Sequence, residues 1–354
     1  MRQEKRIEAR DMPGTVPGSA GSGSGHVGHG PAGKMRARLG MMDETREVGM
    51  GSRFRDDATQ QIETLGSPPA RPVEGLGAPA VHPDVYGLTD VGKVRDHNED
   101  SFLVAQLERY MRLYQSSRPV DDGTKVKGPP QGWILIVADG MGGHAGGEVA
   151  SAMTTDALAR YAFTLMPWSL PRSRDDSRVL ASGFRDAVKK VQQDMREAAS
   201  SSGRKGMGTT LTMAYVTWPN LFVVHVGDSR MYAMRESRLY QITHDHTLAQ
   251  QLVESKVMSS EEAEDSEFSN ILVNALGGDS EELRVELHHA LLFPGDVFLL
   301  CSDGLNKHVS DDRIREILGA VAGGETAESA ARTLVDDALE DGGTDNVTCV
   351  VARF

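Results

Sequence analysis

The chain lacks several features that mark large classes of protein. Its 354 residues contain only two cysteines, Cys301 and Cys349, and both stand inside apolar runs. Two such cysteines indicate free thiols in a reducing compartment, because small secreted domains that depend on disulfides carry many more. No stretch reaches the roughly 18 to 20 apolar residues of a membrane span, and the charged segment Met1–Arg6 does not resemble a secretory signal. We therefore expect a cytoplasmic protein with no membrane association.

Positive charge is also in short supply. The chain has 38 Lys+Arg against 51 Asp+Glu, a net charge of -13. Residues 1–80 hold 11 basic and 10 acidic side chains (+1), and the remaining 274 residues hold 27 and 41 (-14). This balance argues against a nucleic-acid-binding protein that works through basic patches. An acidic globular region is compatible with a site that collects cations, although acidic surfaces also serve solubility.

Residues 1–80 are poor in large apolar side chains but contain 14 glycines and seven prolines. Such a segment cannot bury enough surface to offset the loss of chain entropy on folding. We expect a disordered Gly/Pro-rich tail that acts as a spacer. A docking or phosphorylation segment is the alternative.

Residues 81–354 show the pattern of one globular domain. Segments with strand character are Tyr86–Thr89, Phe102–Ala105, Trp133–Ala138, Leu211–Val216, Leu221–Val226, Met231–Met234, Leu239–Ile242, Arg284–Ala290, Val297–Cys301 and Val347–Ala352. Residues 218–220 and 235–237 are expected to form hairpin turns between antiparallel strands. Helical periodicity appears in Glu148–Phe163, Ser182–Ala199, Leu248–Glu254, Asp311–Leu318 and Thr326–Leu339. The pattern predicts an α+β fold, an antiparallel β-sandwich of two central sheets flanked by helices on both outer faces (α-β-β-α).

The stretch 109–131 is longer than the usual connection between two strands. We expect it to be an irregular insertion that runs over the surface.

Four aspartates stand at or beside the ends of predicted strands. Asp139 and Asp303 follow buried strands, Asp345 precedes the last strand, and Asp100 precedes an early one. A carboxylate at the end of a buried strand is unfavourable unless a cation balances it. If these strand ends are neighbours, the four carboxylates carry a charge of -4, which two divalent ions would neutralise.

The dipeptide Asp139–Gly140 offers a carboxylate and a freely approached backbone carbonyl at one point. Oxygen ligands of this kind suit Mg²⁺ or Mn²⁺, and a pair of such ions can activate water toward phosphorus. Arg95 lies five residues before Asp100, and its planar guanidinium suits a phosphate group. Asp228 is a further metal candidate, with a turn-stabilising role as the alternative.

Other sequence motifs would indicate different functions, but each has weaker support than the aspartates. Residues 140–145 fit G-x-G-x-x-A, a dinucleotide-binding fingerprint, but Asp139 would repel a pyrophosphate and the following segments form hairpins. No P-loop motif occurs, and Ser229 has no histidine partner at a recognisable nucleophile elbow. The histidines show no zinc spacing with cysteines: His144, His225, His244, His246, His288, His289 and His308.

Six motifs, in this order, resemble the metal-dependent type 2C protein serine/threonine phosphatases in their bacterial form. The first runs from Thr89–Gly92 through Arg95 to Asn98–Asp100, and the others are Asp139–His144, Gly208–Thr210, Gly227–Arg230, Ser302–Leu305 and Asp345–Asn346. The resemblance runs from residue 85 to the C-terminus. It implies a catalytic domain over 81–354 that hydrolyses phosphoserine and phosphothreonine in proteins by a hydroxide bridging two Mn²⁺ or Mg²⁺ ions. A Ser/Thr kinase whose action the enzyme opposes is the implied signalling partner.

The resemblance also assigns roles to individual residues. Asp139 would bridge both ions, and the Gly140 carbonyl would add a further ligand. Asp303 and Asp345 would complete the coordination shell of one ion. Asp100, helped by Glu99, would bind the other ion. Arg95 would hold the substrate phosphate, and Asp228 would share a weaker third ion with Asp303. Residues 248–270 correspond to a mobile flap beside the cleft.

Two positions depart from the family pattern. Met141 stands where some members have a histidine that could act as general acid, and His144 follows three residues later. The identity of the general acid is therefore left open. Lys307 stands where some members have a carboxylate, which weakens the case for a third ion. The alternatives to the phosphatase are a non-catalytic regulatory binding module of the same fold and a hydrolase of small phosphoesters.

Overall fold

The computed structural model describes residues 83–115, 117, 123–128, 132–142, 146–165, 174–203, 206–264, 266–278 and 283–354. The expected disordered tail, residues 1–80, lies outside these ranges. So do His144 and parts of the 109–131 stretch.

Strands and helices follow the predicted segments closely and add short elements. The strands are β1 (Asp84–Asp90), β2 (Ser101–Leu107), β3 (Tyr110–Arg112), β4 (Lys125–Lys127), β5 (Gly132–Ala138), β6 (Gly140–Met141), β7 (Gly208–Thr209), β8 (Leu211–Thr217), β9 (Asn220–Val226), β10 (Arg230–Arg235), β11 (Arg238–Gln241), β12 (Leu276–Gly277), β13 (Glu286–Leu291), β14 (Val297–Cys301) and β15 (Val347–Arg353). The helices are α1 (Gly146–Leu165), α2 (Arg174–Ser202), α3 (Leu248–Glu254), α4 (Ser260–Glu264), α5 (Asp303–Asn306), α6 (Asp311–Ala322) and α7 (Ala327–Glu340), with a 3₁₀ turn at Glu267–Asn270.

The strands form two five-stranded antiparallel sheets, as the sequence predicts. The first has the order β1-β15-β14-β10-β11 and the second has the order β13-β9-β8-β5-β2. The predicted turns at 218–220 and 235–237 join β8 to β9 and β10 to β11. Strand β5 pairs antiparallel with both of its neighbours, β2 and β8, so the segment that follows it does not belong to the parallel βαβ unit of a dinucleotide-binding fold.

Three apolar clusters define four layers. Along β14 the side chains alternate, because successive residues of a strand point to opposite faces. Phe298 and Leu300 join the cluster between the two sheets, whereas Leu299 and Cys301 pack with α6 and α7. A third cluster fills the space between the second sheet and helices α1 and α2. The order of layers is therefore helix, sheet, sheet, helix.

The 109–131 stretch is more regular than expected. Strands β3 and β4 pair within it as an exposed antiparallel ribbon, in which Tyr110 is opposite Lys127 and Arg112 is opposite Lys125. Exposure of both strands explains why no apolar pattern predicted them, because neither face rests on the core. A small sheet of order β12-β7-β6 was likewise not predicted, since each of its strands has only two residues.

None of the helices in the described part of the chain combines the length and apolarity that a membrane crossing requires.

The packing between the sheets gives a test of the architecture. Phe298 is 2 % exposed and lies between the sheets, so Phe298→Ala should lower the free energy of unfolding by about 3–5 kcal/mol. Leu291→Ala is the matched control, because Leu291 is 46 % exposed and should change stability by less than about 1 kcal/mol. Urea unfolding followed by circular dichroism measures both. Equal effects in the two variants would contradict the four-layer arrangement.

Candidate metal centre

Antiparallel pairing brings five aspartates to one edge of the sandwich. Asp139 follows β5 and Asp303 follows β14, while Asp100 precedes β2 and Asp345 precedes β15. Because β2 runs antiparallel to β5, and β15 runs antiparallel to β14, the end of one strand lies beside the start of its neighbour. Asp228 follows β9, which runs in the same direction as β5 because β8 lies antiparallel between them.

The pKa shifts of these side chains are those expected of carboxyl groups that lie close together. Burial raises the pKa of Asp139 well above its ordinary value, and the charges of Asp100, Asp303, Asp228 and Asp345 raise it further. Burial likewise raises the pKa of Asp100 to about 7 and that of Asp228 to about 8. A carboxyl group whose neighbours are carboxylates is unfavourable in its charged form. The cluster is therefore a site of concentrated negative charge that lacks enough balancing cations.

The residues present fit divalent ions with a preference for oxygen. The Oδ1 atoms of Asp100 and Asp303 are buried and have no hydrogen-bond partner among the described residues. Orphaned buried carboxylate oxygens are costly unless a cation contacts them. Two cationic side chains, Arg95 and Lys307, reach the cluster, and five carboxylates outnumber them. Carboxylate and carbonyl oxygens are the donors that Mg²⁺ and Mn²⁺ prefer.

Gly140 allows the backbone to approach this cluster closely. A Cβ atom built on Gly140 would lie 2.3 Å from the Gly147 carbonyl oxygen and 2.5 Å from that of Glu99. Any other residue would therefore push apart the start of α1 and the segment that carries Glu99. The Gly140 amide donates to the Glu99 carbonyl at 3.2 Å, so the two predicted metal-binding segments are joined through their backbones.

Threonines of the 208–210 motif hold the backbone of Asp139. The Asp139 amide donates to Thr210 Oγ1 at 2.9 Å, and the Asp139 carbonyl accepts from the Thr210 amide and the Thr209 hydroxyl, each at 2.8 Å. The Thr210 hydroxyl also bonds to that of Ser229 at 2.7 Å. Thr210 thus connects Asp139 to the segment that contains Asp228. The sequence indicated these motifs but not this role.

Asn346 ties the loop that carries Arg95 to the strand edge. Its Nδ2 donates to the carbonyls of Val91 and His97, each at 2.9 Å, and its Oδ1 accepts the Glu99 amide at 2.8 Å. Asn346 is only 6 % exposed. Because all these bonds cross more than 240 positions of sequence, no local pattern could have identified the residue as a support of the site.

Two ion pairs flank the cluster. Arg95 donates to Asp345 Oδ2 at 2.7 Å, and this hydrogen bond raises the pKa of the arginine. Lys307 donates to Asp303 Oδ2 at 2.5 Å. Arg95 is about half exposed, so it lies at the rim of the site, whereas Lys307 reaches in from the end of α5. Both cations partly offset the carboxylate charge.

Ser302 is a further residue that sequence reasoning missed. Its hydroxyl donates to Asp100 Oδ2 at 2.7 Å and accepts the Thr348 amide at 3.0 Å. The serine therefore joins both sheets at the point where the carboxylates meet. Its place directly before Asp303 was the available signal, although serine in that position also serves as a helix N-cap.

Comparison with known proteins agrees with this geometry. The family model for protein phosphatase 2C matches residues 112–340. The serine/threonine protein phosphatase PstP of Mycobacterium tuberculosis is 37% identical over 264 residues, and the serine/threonine phosphatase stp of Listeria monocytogenes is 31% identical over 266 residues. The solved catalytic domain of PstP in complex with two manganese ions covers 77% of this chain and 97% of its own, with 33% identity and a TM-score of 0.58. This chain belongs to the protein phosphatase 2C family.

The matches differ in how much of each relative they cover. Each takes in 75% of this chain, which corresponds to 43% of the Mycobacterium tuberculosis protein and 93% of the Listeria monocytogenes protein.

The excess of negative charge at the centre leads to a prediction about the stability of the protein with and without bound metal. Mn²⁺ at one hundred times its Kd should stabilise the protein by about 2.7 kcal/mol for each site, and Asp139→Asn should largely abolish this gain. In the absence of metal the same variant should be more stable than the wild type by about 1–2 kcal/mol, because an amide removes repulsion among buried carboxylates.

Differential scanning fluorimetry with chelator and with Mn²⁺ measures both effects. Asp312→Asn, at an aspartate that is 83% exposed, is the control and should behave like wild type. A metal-free Asp139→Asn protein that is clearly less stable than the metal-free wild type would contradict the proposed repulsion.

Proposed function

We propose that this protein is a metal-dependent phosphatase that removes phosphate from phosphoserine and phosphothreonine in proteins. The observation that carries the proposal is the convergence of five aspartates at one edge of the sandwich, with an arginine at the rim. A site that only recognised phosphate would concentrate positive charge. Here the carboxylates concentrate negative charge, which favours metal-assisted hydrolysis over binding alone.

Each carboxylate has a distinct place in this proposal. Asp139 would serve both of two ions, Mn²⁺ or Mg²⁺, and the Gly140 carbonyl would add a ligand, while Asp303 and Asp345 would hold one of the ions. Asp100, with Glu99 beside it, would hold the other. Divalent ions held in this way supply Lewis acidity toward phosphate oxygens and activate water as the nucleophile. The role of the protein is to hold the carboxylates in place, which it does through hydrogen bonds from Thr209, Thr210 and Ser302.

Arg95 is proposed to bind the substrate phosphate. Its guanidinium is half exposed at the rim and already forms a charged hydrogen bond to an oxyanion, the Asp345 carboxylate. A metal ion on Asp345 would satisfy that carboxylate and leave the arginine available to a phosphate group. The fork of a guanidinium matches two phosphate oxygens, which would orient phosphorus toward the metal centre.

A third ion is less favoured in this chain. Asp228 and Asp303 would share it, but the ammonium group of Lys307 already contacts Asp303 and offsets part of the negative charge that would attract a third ion. We therefore propose that the protein uses two metal ions.

Met141 carries no ionisable group, so it cannot serve as the general acid.

The substrate class rests on the relatives, which are named as serine/threonine phosphatases. A Ser/Thr kinase that phosphorylates the same proteins is the proposed signalling partner. A cytoplasmic location is proposed because Cys301 and Cys349, opposite one another on β14 and β15, are both free thiols. A phosphatase of small phosphoesters is the second candidate, and comparison of phosphopeptides with nucleotides as substrates separates the two.

Loss of the central carboxylate tests the reaction. Asp139→Asn should lower kcat/KM on a phosphothreonine peptide by about 1,000-fold or more, equivalent to about 4 kcal/mol, because a ligand of both ions is weakened. Wild-type activity should vanish with chelator and return with Mn²⁺. Asp312→Asn should retain wild-type rates. Full manganese-dependent turnover by Asp139→Asn would show that the carboxylate cluster is not the catalytic centre.

Substitution of Arg95 tests phosphate binding separately. Arg95→Ala should raise KM by about tenfold or more, since a hydrogen bond between charged groups contributes about 1.5–3 kcal/mol. The KM of Arg95→Lys should lie between those of Arg95→Ala and the wild type, because an ammonium group keeps the positive charge but cannot bind two phosphate oxygens as a planar guanidinium does. Steady-state kinetics and inhibition by inorganic phosphate measure both. An unchanged KM and unchanged phosphate inhibition in Arg95→Ala would assign phosphate binding to another group.

A further inference from the structure

A second group of metal-binding side chains lies apart from the aspartates. Glu286 and His288 stand two residues apart on β13, and His244 and His246 stand two residues apart in the segment after β11. Residues at i and i+2 of a strand point to the same side, so Glu286 and His288 present their ligand atoms together. The two pairs belong to the edges of different sheets and meet around the Glu286 carboxylate.

Three atoms of this group fit one ion. Glu286 Oε1 lies 3.1 Å from His244 Nδ1 and is in close contact with His288 Nε2. The ligand atoms of these three residues all lie within 4.8 Å of one another. A tetrahedral zinc centre with bonds of about 2.0–2.1 Å places its ligand atoms about 3.3 Å apart, which small side-chain shifts would reach here.

His246 supports this group without belonging to the ligands. Its Nδ1 accepts the Gly227 amide at 3.0 Å, so in the neutral ring the proton is on Nε2. That Nε2 lies 3.4 Å from Glu286 Oε2 and faces it. The histidine therefore lies against Oε2, while His244 Nδ1 and His288 Nε2 both approach the other oxygen, Oε1. Carboxylate ligands of metals are commonly held by such neighbours.

His225 fixes the backbone of the same segment. Its Nε2 bonds to the His244 carbonyl at 3.0 Å, and its Nδ1 bonds to the Thr212 hydroxyl at 3.0 Å. A carbonyl oxygen can only accept, so Nε2 carries the proton. Both of its nitrogens are thus occupied, and it is excluded as a ligand.

Burial makes an ion favourable at this place. The side chains of His288 and Glu286 are 0% and 8% exposed, and Glu286 Oε2, His246 Nε2 and His288 Nδ1 have no hydrogen-bond partner within the described ranges. The carboxylate and the imidazoles therefore retain hydrogen-bonding capacity that the described residues do not satisfy. His244 is 30% exposed, which gives ions a path from solvent.

We propose that His244 Nδ1, His288 Nε2 and Glu286 Oε1 form a second metal site that binds Zn²⁺, with solvent in the remaining position. Two imidazoles and one carboxylate suit Zn²⁺ better than Mg²⁺, which prefers oxygen. The bound ion links the edge strand β13 of one sheet to the segment that follows β11 of the other. That segment leads directly into α3, so the ion anchors the base of the 248–270 region.

Zinc and cobalt titrations of the full chain test the proposal. The protein is stripped with chelator, and excess Mg²⁺ is then added to occupy the oxygen-rich aspartate centre. Calorimetry should still show one Zn²⁺ per chain, and Co²⁺ in its place should give the visible absorption of a low-coordinate nitrogen–oxygen site. His244→Ala should weaken Zn²⁺ binding by about 100-fold or more, because one of three protein ligands is lost.

His289→Ala is the matched control. It neighbours His288 on β13 but stacks on Phe222 and bonds to Asn220, away from the cluster, so Zn²⁺ binding should be unchanged. If His244→Ala does not fold, His244→Gln replaces it, because amide nitrogen and oxygen are much poorer zinc ligands. Zinc binding that excess Mg²⁺ abolishes, that His244 variants retain, or that is absent from the wild type would overturn the proposal.

Discussion

The repulsion among five clustered carboxylates is the constraint on which the rest of the structure depends. Each one closes or opens a strand of the sandwich, so the same backbone geometry that builds the core forces like charges together. A carboxylate pair in a poorly solvated place is unfavourable by several kcal/mol unless something positive lies between them. The fold can tolerate the cluster only because its surroundings are rigid and because cations can enter.

Rigidity comes from hydrogen bonds that cross between distant segments. Ser302 joins Asp100 to the edge of the other sheet, Thr210 clamps Asp139, and Asn346 holds the loop of Arg95. Each is an uncharged side chain that fixes the position of a charged one without adding to the charge. A site that must bind and release ions benefits from this division, because the supports remain in place when the cations change.

The sequence was sufficient for the architecture and for singling out the aspartates as candidate ligands, but not for the residues that support them. Strands such as Val297–Cys301 were predictable because their apolar pattern records burial on both faces, and the aspartates were visible as polar residues at the ends of such runs. Asn346 and Ser302 act through contacts between segments far apart in the chain, which no local pattern contains. The ribbon β3–β4 escaped prediction for the opposite reason, since an exposed strand has no core to impose alternation.

The histidines also show that a local sequence pattern does not reveal contacts between distant segments. Judged by their spacing to cysteine they carry no zinc signal, and that remains true of the sequence. The fold places His244 beside Glu286, which is 42 positions away in the chain, and thereby creates a donor set of nitrogen and oxygen. As proposed, this set would select ions by their affinity for imidazole, and the aspartate centre would select them by their affinity for hard oxygen. A short path joins the two groups of side chains, because Gly227 is bonded to His246 through both its amide and its carbonyl and directly precedes Asp228.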